Sequence, residues 1–575
     1  MNDSRDLPKP IPATQHGLIR LEIGFWLLAA ALGFVHAWAD HHDLMNADAM
    51  SYIDIAEAYL RKDWPEAINT YWSPLYSWLI ALGFRLLKPS PYWKFAVVHI
   101  VNFGIYLFAL GCFCSLMREL VKRQRNEPGL ATLPDWALIS LGYSLFIWSS
   151  LFLITVHLES PDMLVAAFVY LATAILLRIR RQPSSWWTFM LLGIVLGFGF
   201  LAKSVMLLLT PVFLIAAVLC VGNLRRGLPR VVIAVALLIV VAGPFILAMS
   251  DQKGALTTGR SGRLNYLWAI NGVSNTHWQG EEPRFGIPEH PTRKIFDNPP
   301  AFEFARPITG SYPLWYDPTY WYEGSVSHFD WRQQLRVFIG GIKSYYELFQ
   351  SRGLQFGLFV GLVALYTLGG RGRLIVYDLI DRWMLIVFAC AGLGLYALVN
   401  VQGRYVASFI VLLWLALFSS VQMSRAPNTE RFIRSIILVL AIPIVITTVS
   451  SSTREAGLTL RQLVRGEDPA AHEQWQVAEG LRERGIGLGY KVAFIGDSFR
   501  AFWANLLGAR VTAEVRRDKV LDFWQADPQV RANLINAFAM ADVEAVVAEK
   551  PPRGVDLTGW QKLRNTDYYV YVIER

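Results

Sequence analysis

The chain has 575 residues, of which 54% are hydrophobic and 17% charged. Soluble domains carry about 25% charged residues, so the composition excludes an ordinary soluble protein and points to one built in a membrane. The net charge of +9 implies no nucleic acid, because cytoplasmic loops of membrane proteins collect Lys and Arg.

Residues 1–20 carry Arg5, Lys9 and Arg20, and no small-residue cleavage site follows the apolar run after them. The first span, 19–39, therefore reads as retained. A hydrocarbon core about 30 Å thick needs about 20 mainly apolar residues as helix. Further runs of this kind fall near 92–117, 133–153, 160–178, 185–202, 204–222, 230–249, 354–370, 382–400, 404–423 and 432–450. The expectation is an α-helical polytopic protein with about eleven transmembrane helices.

The basic loops set its orientation. Arg118, Lys122, Arg123 and Arg125 follow the second span, and Arg178, Arg180 and Arg181 the fourth. Arg225, Arg226 and Arg230 follow the sixth, Arg371 and Arg373 the eighth, and Arg425, Arg431 and Arg434 the tenth. If the spans alternate, all lie on the side of the N-terminus, which is then cytoplasmic, and the C-terminus is extracytoplasmic. The expected location is the cell's inner (plasma) membrane.

Three hydrophilic parts then share the outer face. The loop 40–91 predicts interfacial helices over 51–60 and 72–87. The loop 250–353 is rich in aromatics, notably from Ser311 to Glu323, which suit either sugar rings or an interfacial belt. The tail 451–575 reads as a small α/β domain appended to the transmembrane domain 1–450. It has a predicted helix over 471–483 and apolar strands at Lys491–Asp497, Ala545–Ala548 and Tyr568–Ile573. Asp497 falls at a strand's carboxyl end, where such sheets often bind ligands, although a scaffold role is the simpler reading. The four cysteines lie in or beside apolar runs, so no disulfide framework is expected.

Ionisable residues near membrane depth are the candidates for chemistry. Asp48 and Asp54 belong to the first outer loop; Asp48 reads as a helix cap or a base, and Asp54 shares a face with Glu57 that could meet water. Glu159 and Asp162 fall in the short connection His157-Leu158-Glu159-Ser160-Pro161-Asp162, where Pro161 suits a first helical turn. Lys203 and Arg404 occupy outer turns, where cations should be scarce. They read as head-group anchors or as ligands for a phosphate. Arg260 and Arg263 could join them or be solvated.

The run Asp48-Ala49-Met50-Ser51-Tyr52, then Asp63-Trp64-Pro65 and Trp72-Ser73-Pro74, resembles the first outer loop of the GT-C membrane glycosyltransferases. The branch it is most similar to holds the aminoarabinose transferases and the protein O-mannosyltransferases. Ser160-Pro161-Asp162, Gly197 to Lys203 and Gly403-Arg404-Tyr405 extend the likeness in order. The resemblance implies inverting transfer of a sugar from a polyprenyl-phosphate donor to a glycan, lipid or protein acceptor. Asp48 then resembles the catalytic base, Asp162 a second acid, and Lys203 and Arg404 the donor-phosphate ligands. Tyr52, Glu159, Arg260, Arg263 and Tyr405 are candidate substrate contacts. No cofactor is implied; some relatives use a divalent metal, but Ala49 stands where the family often has a second acid. Ser73 stands where a Lys is usual. The alternatives are a transporter or flippase of lipid-linked sugars, or a non-catalytic envelope assembly protein.

Overall fold

The computed structural model describes residues 15–39, 41–125, 133–279, 283–350, 354–368, 379–422, 429–464 and 473–574. Arg5, Lys9, Arg371, Arg373, Arg425 and the start of the predicted 471–483 helix lie outside the described residues. Every predicted span coincides with a helix, and the chain is a multi-pass helical membrane protein. Among the described residues six helices, including Pro91–Arg125, Asp162–Arg181 and Leu224–Lys253, are long and apolar enough to cross a membrane. Others are shorter: Trp186–Ala202, Val205–Val221 and Gly403–Ser419 have 17 residues each, and Leu354–Leu368 and Trp383–Ala397 have 15. The short helices end at polar breaks, and those breaks carry Lys203 and Arg404.

Aromatic and small residues hold the bundle. Phe113 lies 5.0 Å from Phe146 and 5.2 Å from Tyr170, ring centroid to centroid, at the meeting of three helices. Trp186–Ala202 crosses Leu224–Lys253 through Gly193, where a Cβ would stand 2.1 Å from the carbonyl oxygen of Ala234. Only glycine admits so close an approach, as small residues do between helices in lipid.

One end of the bundle carries a seven-stranded sheet in the order β1-β2-β4-β3-β5-β7-β6. The tail supplies β3 (Lys491–Gly496), β4 (Arg510–Arg516), β5 (Ala545–Glu549), β6 (Gln561–Lys562) and β7 (Tyr568–Val572). The hairpin β1 (Arg293–Asp297) and β2 (Pro300–Glu303) comes from the 250–353 loop and pairs antiparallel onto β4. β3 runs parallel to β4 and β5, and its apolar residues bury on both faces, as a central parallel strand requires. The outer loop and the tail thus build one sheet.

Asp54 fastens this assembly to the first outer loop. Instead of meeting water, it is 7% exposed. Its carboxylate accepts from the Ser311 amide at 2.7 Å, the Ser311 hydroxyl at 2.8 Å and Asn505 Nδ2 at 2.5 Å. Burial raises its pKa from 3.8 to about 6, against the lowering effect of those donors. The expectation of a solvated face fails here because the partners, Ser311 and Asn505, are hundreds of residues away in sequence. Glu57, one turn on, pairs with Lys94 at 2.6 Å.

At the opposite end Asp381 gathers Arg123, Arg180 and Arg382. Arg180 Nη2 lies 2.8 Å from Oδ1 and Arg382 Nη1 3.0 Å from Oδ2, and Arg123 donates to both the carbonyl and the carboxylate. One acid thereby ties three helices through cations that would otherwise repel.

Candidate active site

Four helix breaks bring the predicted charges together. The first is the start of the Ala47–Arg61 helix. Its N-cap is Asn46, whose Oδ1 accepts from the Asp48 amide at 3.2 Å. Asp48 is therefore not the cap. Asn46 Nδ2 donates to Asp48 Oδ2 at 2.9 Å, which turns the carboxylate away from its own helix.

The second break follows a π-helical turn, Ser149–Ile154, and Thr155 at φ 67°. Such turns recur at functional sites. The chain re-enters a helix at Asp162, behind Pro161, so the carboxylate sits at a helix N-terminus whose dipole favours negative charge. Ser160 Oγ donates to Asp162 Oδ2 at 2.9 Å. At the third break Lys203 adopts extended backbone, φ −160° and ψ 132°, between two helices. At the fourth, Gln402 caps the Gly403–Ser419 helix in extended conformation, and its Oε1 accepts from Arg404 Nε at 3.0 Å.

Lys203 Nζ lies 2.6 Å from Asp162 Oδ1. Arg404 reaches both acids, with Nη2 3.3 Å from Asp48 Oδ2 and Nε 3.6 Å from Asp162 Oδ2. Tyr405 underlies both cations: Lys203 Nζ is 3.8 Å and Arg404 Cζ 4.9 Å from its ring centroid. Two carboxylates and two cations thus form a formally neutral cluster, with Asp162 at 2% and Lys203 at 26% side-chain exposure. Burial of this depth strengthens each interaction and makes loss of one partner costly. The ammonium has three protons, and the pair with Asp162 uses one of them.

Trp315 closes the site from the aromatic loop. Its Nε1–H donates to Asp48 Oδ1 at 3.3 Å. The Trp315 carbonyl is itself held by Ser51 Oγ at 3.0 Å and Trp72 Nε1 at 3.2 Å. Trp268 stacks on Trp315 at 5.9 Å, and Phe499 of the tail meets its edge at 5.3 Å. The sheet therefore buttresses the residue that orients Asp48. The aromatic composition of this loop was legible, but no local signal identifies Trp315 among its neighbours.

The remaining candidates separate. Tyr52 is buried between Trp72 and Tyr76, each 5.0 Å away. Burial, with Asp48 beside it, pushes its phenol well above the usual range and keeps it neutral. Glu159 is fully buried, and its Oε2 accepts from the Met45 amide at 3.1 Å. It thus fixes the approach to Asn46 and Asp48. Arg260 lies 3.6 Å from Glu323, and Arg263 donates to the carbonyls of Glu323 and Ser325. These two arginines brace the loop turn at Tyr322–Ser325, Arg260 by its ion pair and Arg263 by its hydrogen bonds to carbonyls, and these contacts join them to that turn rather than to Asp48 or Asp162. Asp497 directly follows β3, with its amide on Glu549 Oε1 at 2.9 Å and its carboxylate 3.3 Å from Arg517. Among the described residues no group of three His, Cys, Asp or Glu side chains is placed to hold a metal ion.

No protein-family model and no curated protein sequence matches the chain. Solved structures do. ArnT from Cupriavidus metallidurans bound to undecaprenyl phosphate superposes with a TM-score of 0.53 at 13% identity, covering 97% of this chain and 98% of that one. Its apo state gives 0.50 at 12% identity over 95% and 97%. The Archaeoglobus fulgidus oligosaccharyltransferase in complex with Zn and sulfate gives 0.50 at 12% identity over 92% and 68%. The chain has the fold of these GT-C glycosyltransferases.

Proposed function

We propose that this chain, built on the GT-C membrane glycosyltransferase fold, transfers a sugar from a polyprenyl-phosphate donor to an acceptor on the extracytoplasmic face. The observation that carries the reading is the convergence of Asp48, Asp162, Lys203 and Arg404 from four separate helix breaks.

Asp48 takes the proton of the acceptor hydroxyl as its oxygen attacks the anomeric carbon. The glycosidic C–O bond breaks on the opposite side, and its electron pair leaves with the lipid phosphate. The configuration inverts. The phosphate departs as an anion, so the demand is for cations near the leaving oxygens rather than for a strong acid. Arg404 offers a planar fork and Lys203 a compact charge. Asp162 holds both cations, and Arg404 also reaches the base, which couples the phosphate ligand to Asp48. Trp315 orients Asp48 through Oδ1 while Asn46 and Arg404 hold Oδ2, and the acceptor hydroxyl meets a lone pair of this carboxylate that those donors leave open.

The orientation follows from the basic loops: the Asp381 end is cytoplasmic and the sheet lies outside. The sugar is a hexose or pentose, and the acceptor a glycan, lipid or protein. A purified sample in nanodiscs, offered a panel of polyprenyl-phosphate sugars with envelope extract, should yield a glycosylated acceptor by mass spectrometry and release polyprenyl phosphate. Movement of intact donor across the bilayer without release of polyprenyl phosphate would instead establish a transporter.

A further inference from the structure

The amphipathic helix Trp331–Gln350 presents three faces to three surroundings. Advancing about 100° per residue, its protein-facing sector contains Gln334, Gly341 and Tyr345. Gln334 Nε2 donates to the Leu398 carbonyl and Tyr345 Oη to the Leu393 carbonyl, both at 2.6 Å. A Cβ on Gly341 would stand 2.8 Å from the Ala397 oxygen, so the helix lies tightly on Trp383–Ala397. Its second sector holds Trp331, Leu335, Phe338, Ile339, Ile342 and Tyr346, all exposed, by 37% to 61%. They form one stripe about 100° wide, the width that buries an amphipathic helix in an apolar phase. The third sector, along one flank of that stripe, carries Arg332, Arg336 and Lys343, also exposed. Two acids lie beside them: Glu347, 3.8 Å from Lys343, and Asp330, whose carboxylate accepts from the Arg332 amide at 3.0 Å.

The axis of this helix is inclined 78° to that of the following apolar helix. With that helix along the bilayer normal, Trp331–Gln350 lies nearly in the membrane plane. An exposed apolar stripe, cations confined to one flank and an in-plane axis are the three features of an interfacial helix.

We infer that Trp331–Gln350 is a docking surface for anionic phospholipid head groups of the extracytoplasmic leaflet. Its apolar stripe enters the acyl boundary, and Arg332, Arg336 and Lys343 reach the phosphates. The helix packs on the segment leading to Gln402 and Arg404, and Leu348 comes within 3.6 Å of where a Cβ on Gly403 would lie. Lipid docking therefore fixes the turn that presents Arg404. This placement stands apart from the glycosyl-transfer reading and is tested without an activity assay.

The test is hydrogen–deuterium exchange of the full chain in nanodiscs of phosphatidylcholine alone and of phosphatidylcholine mixed with phosphatidylglycerol. Amides of 331–350 should exchange roughly tenfold more slowly in the mixed bilayer, as expected for one to two cations near an anionic surface. The variant Arg332→Gln/Arg336→Gln/Lys343→Gln should lose that difference while the rest of the chain exchanges as in the parent. Equal exchange of the parent in both bilayers would overturn the inference, whatever the variant does. Protection found only in discs holding two copies would assign the stripe to a protein interface and overturn it as well.

Discussion

Arg404 Nη2 stands 3.3 Å from Asp48 Oδ2 across 356 residues of sequence. With Asp162 at 3.6 Å on its other nitrogen, this guanidinium links the two acids and holds them apart. A Lys at this position cannot bridge both carboxylates and still face a phosphate. Arg404→Lys should therefore lower transfer by roughly 100-fold, in the range seen when one preorganised charge-stabilising donor is removed. Single-turnover rates at saturating donor would check this, and a wild-type rate would remove Arg404 from the mechanism.

Trp315→Phe keeps the aromatic volume and deletes the N–H that meets Asp48 Oδ1. Without that donor the carboxylate is free to rotate away from the line of attack, and misplacement of a reacting group is costly in rate. The single-turnover rate should fall by roughly 10- to 100-fold, with donor KM little changed. An unchanged rate with a raised KM would make Trp315 a binding surface rather than a positioning residue.

Asp54 gives a pH signature separate from the chemistry. Its folded pKa, about 6, lies above the ordinary 3.8. Between these values the folded state holds a proton that the unfolded state has lost. Stability therefore falls as pH rises from about 4 to about 6 and is level above. Asp54→Asn should remove that slope. The shift corresponds to no more than about 3 kcal/mol. Melting temperatures of parent and variant, compared from pH 4 to pH 8, should converge at low pH and separate through the window; a constant difference would contradict the burial argument.

Asp381→Asn would leave Arg123, Arg180 and Arg382 converging on a neutral group. Because Asp381 is 40% exposed, the cost should be modest, about 1–2 kcal/mol. Melting temperature should fall by a few degrees and recover partly in high salt, which screens the repulsion. A variant as stable as the parent at low salt would show the cluster to be decorative.

The positions of the spans and the four charged residues were legible because membrane depth makes charge rare. A carboxylate or cation at a break between apolar runs stands out, and alternating topology puts such breaks on one face. The geometry joining them was not legible: nothing local in Asp48 names Trp315, and Asn46, not Asp48, takes the cap. Asp54 looked solvated because helical periodicity sees only its own helix, while its partners Ser311 and Asn505 arrive from two other segments. The β1–β2 hairpin was missed for the same reason. Its short, charged strands become a sheet edge only when β4 of the tail is present. Arg260 and Arg263 read either as additions to the phosphate ligands or as solvated, and charge alone did not reveal their contacts with Tyr322–Ser325.

The central claim is that Asp48 is the base, and its most direct test is Asp48→Asn, which preserves shape and keeps one oxygen to accept from Asn46 or Trp315 while removing basicity. Single-turnover transfer from the donor found active should fall by roughly 100- to 10,000-fold, with melting temperature and donor affinity close to the parent's. Transfer at the parent's rate by a folded Asp48→Asn protein would contradict the account.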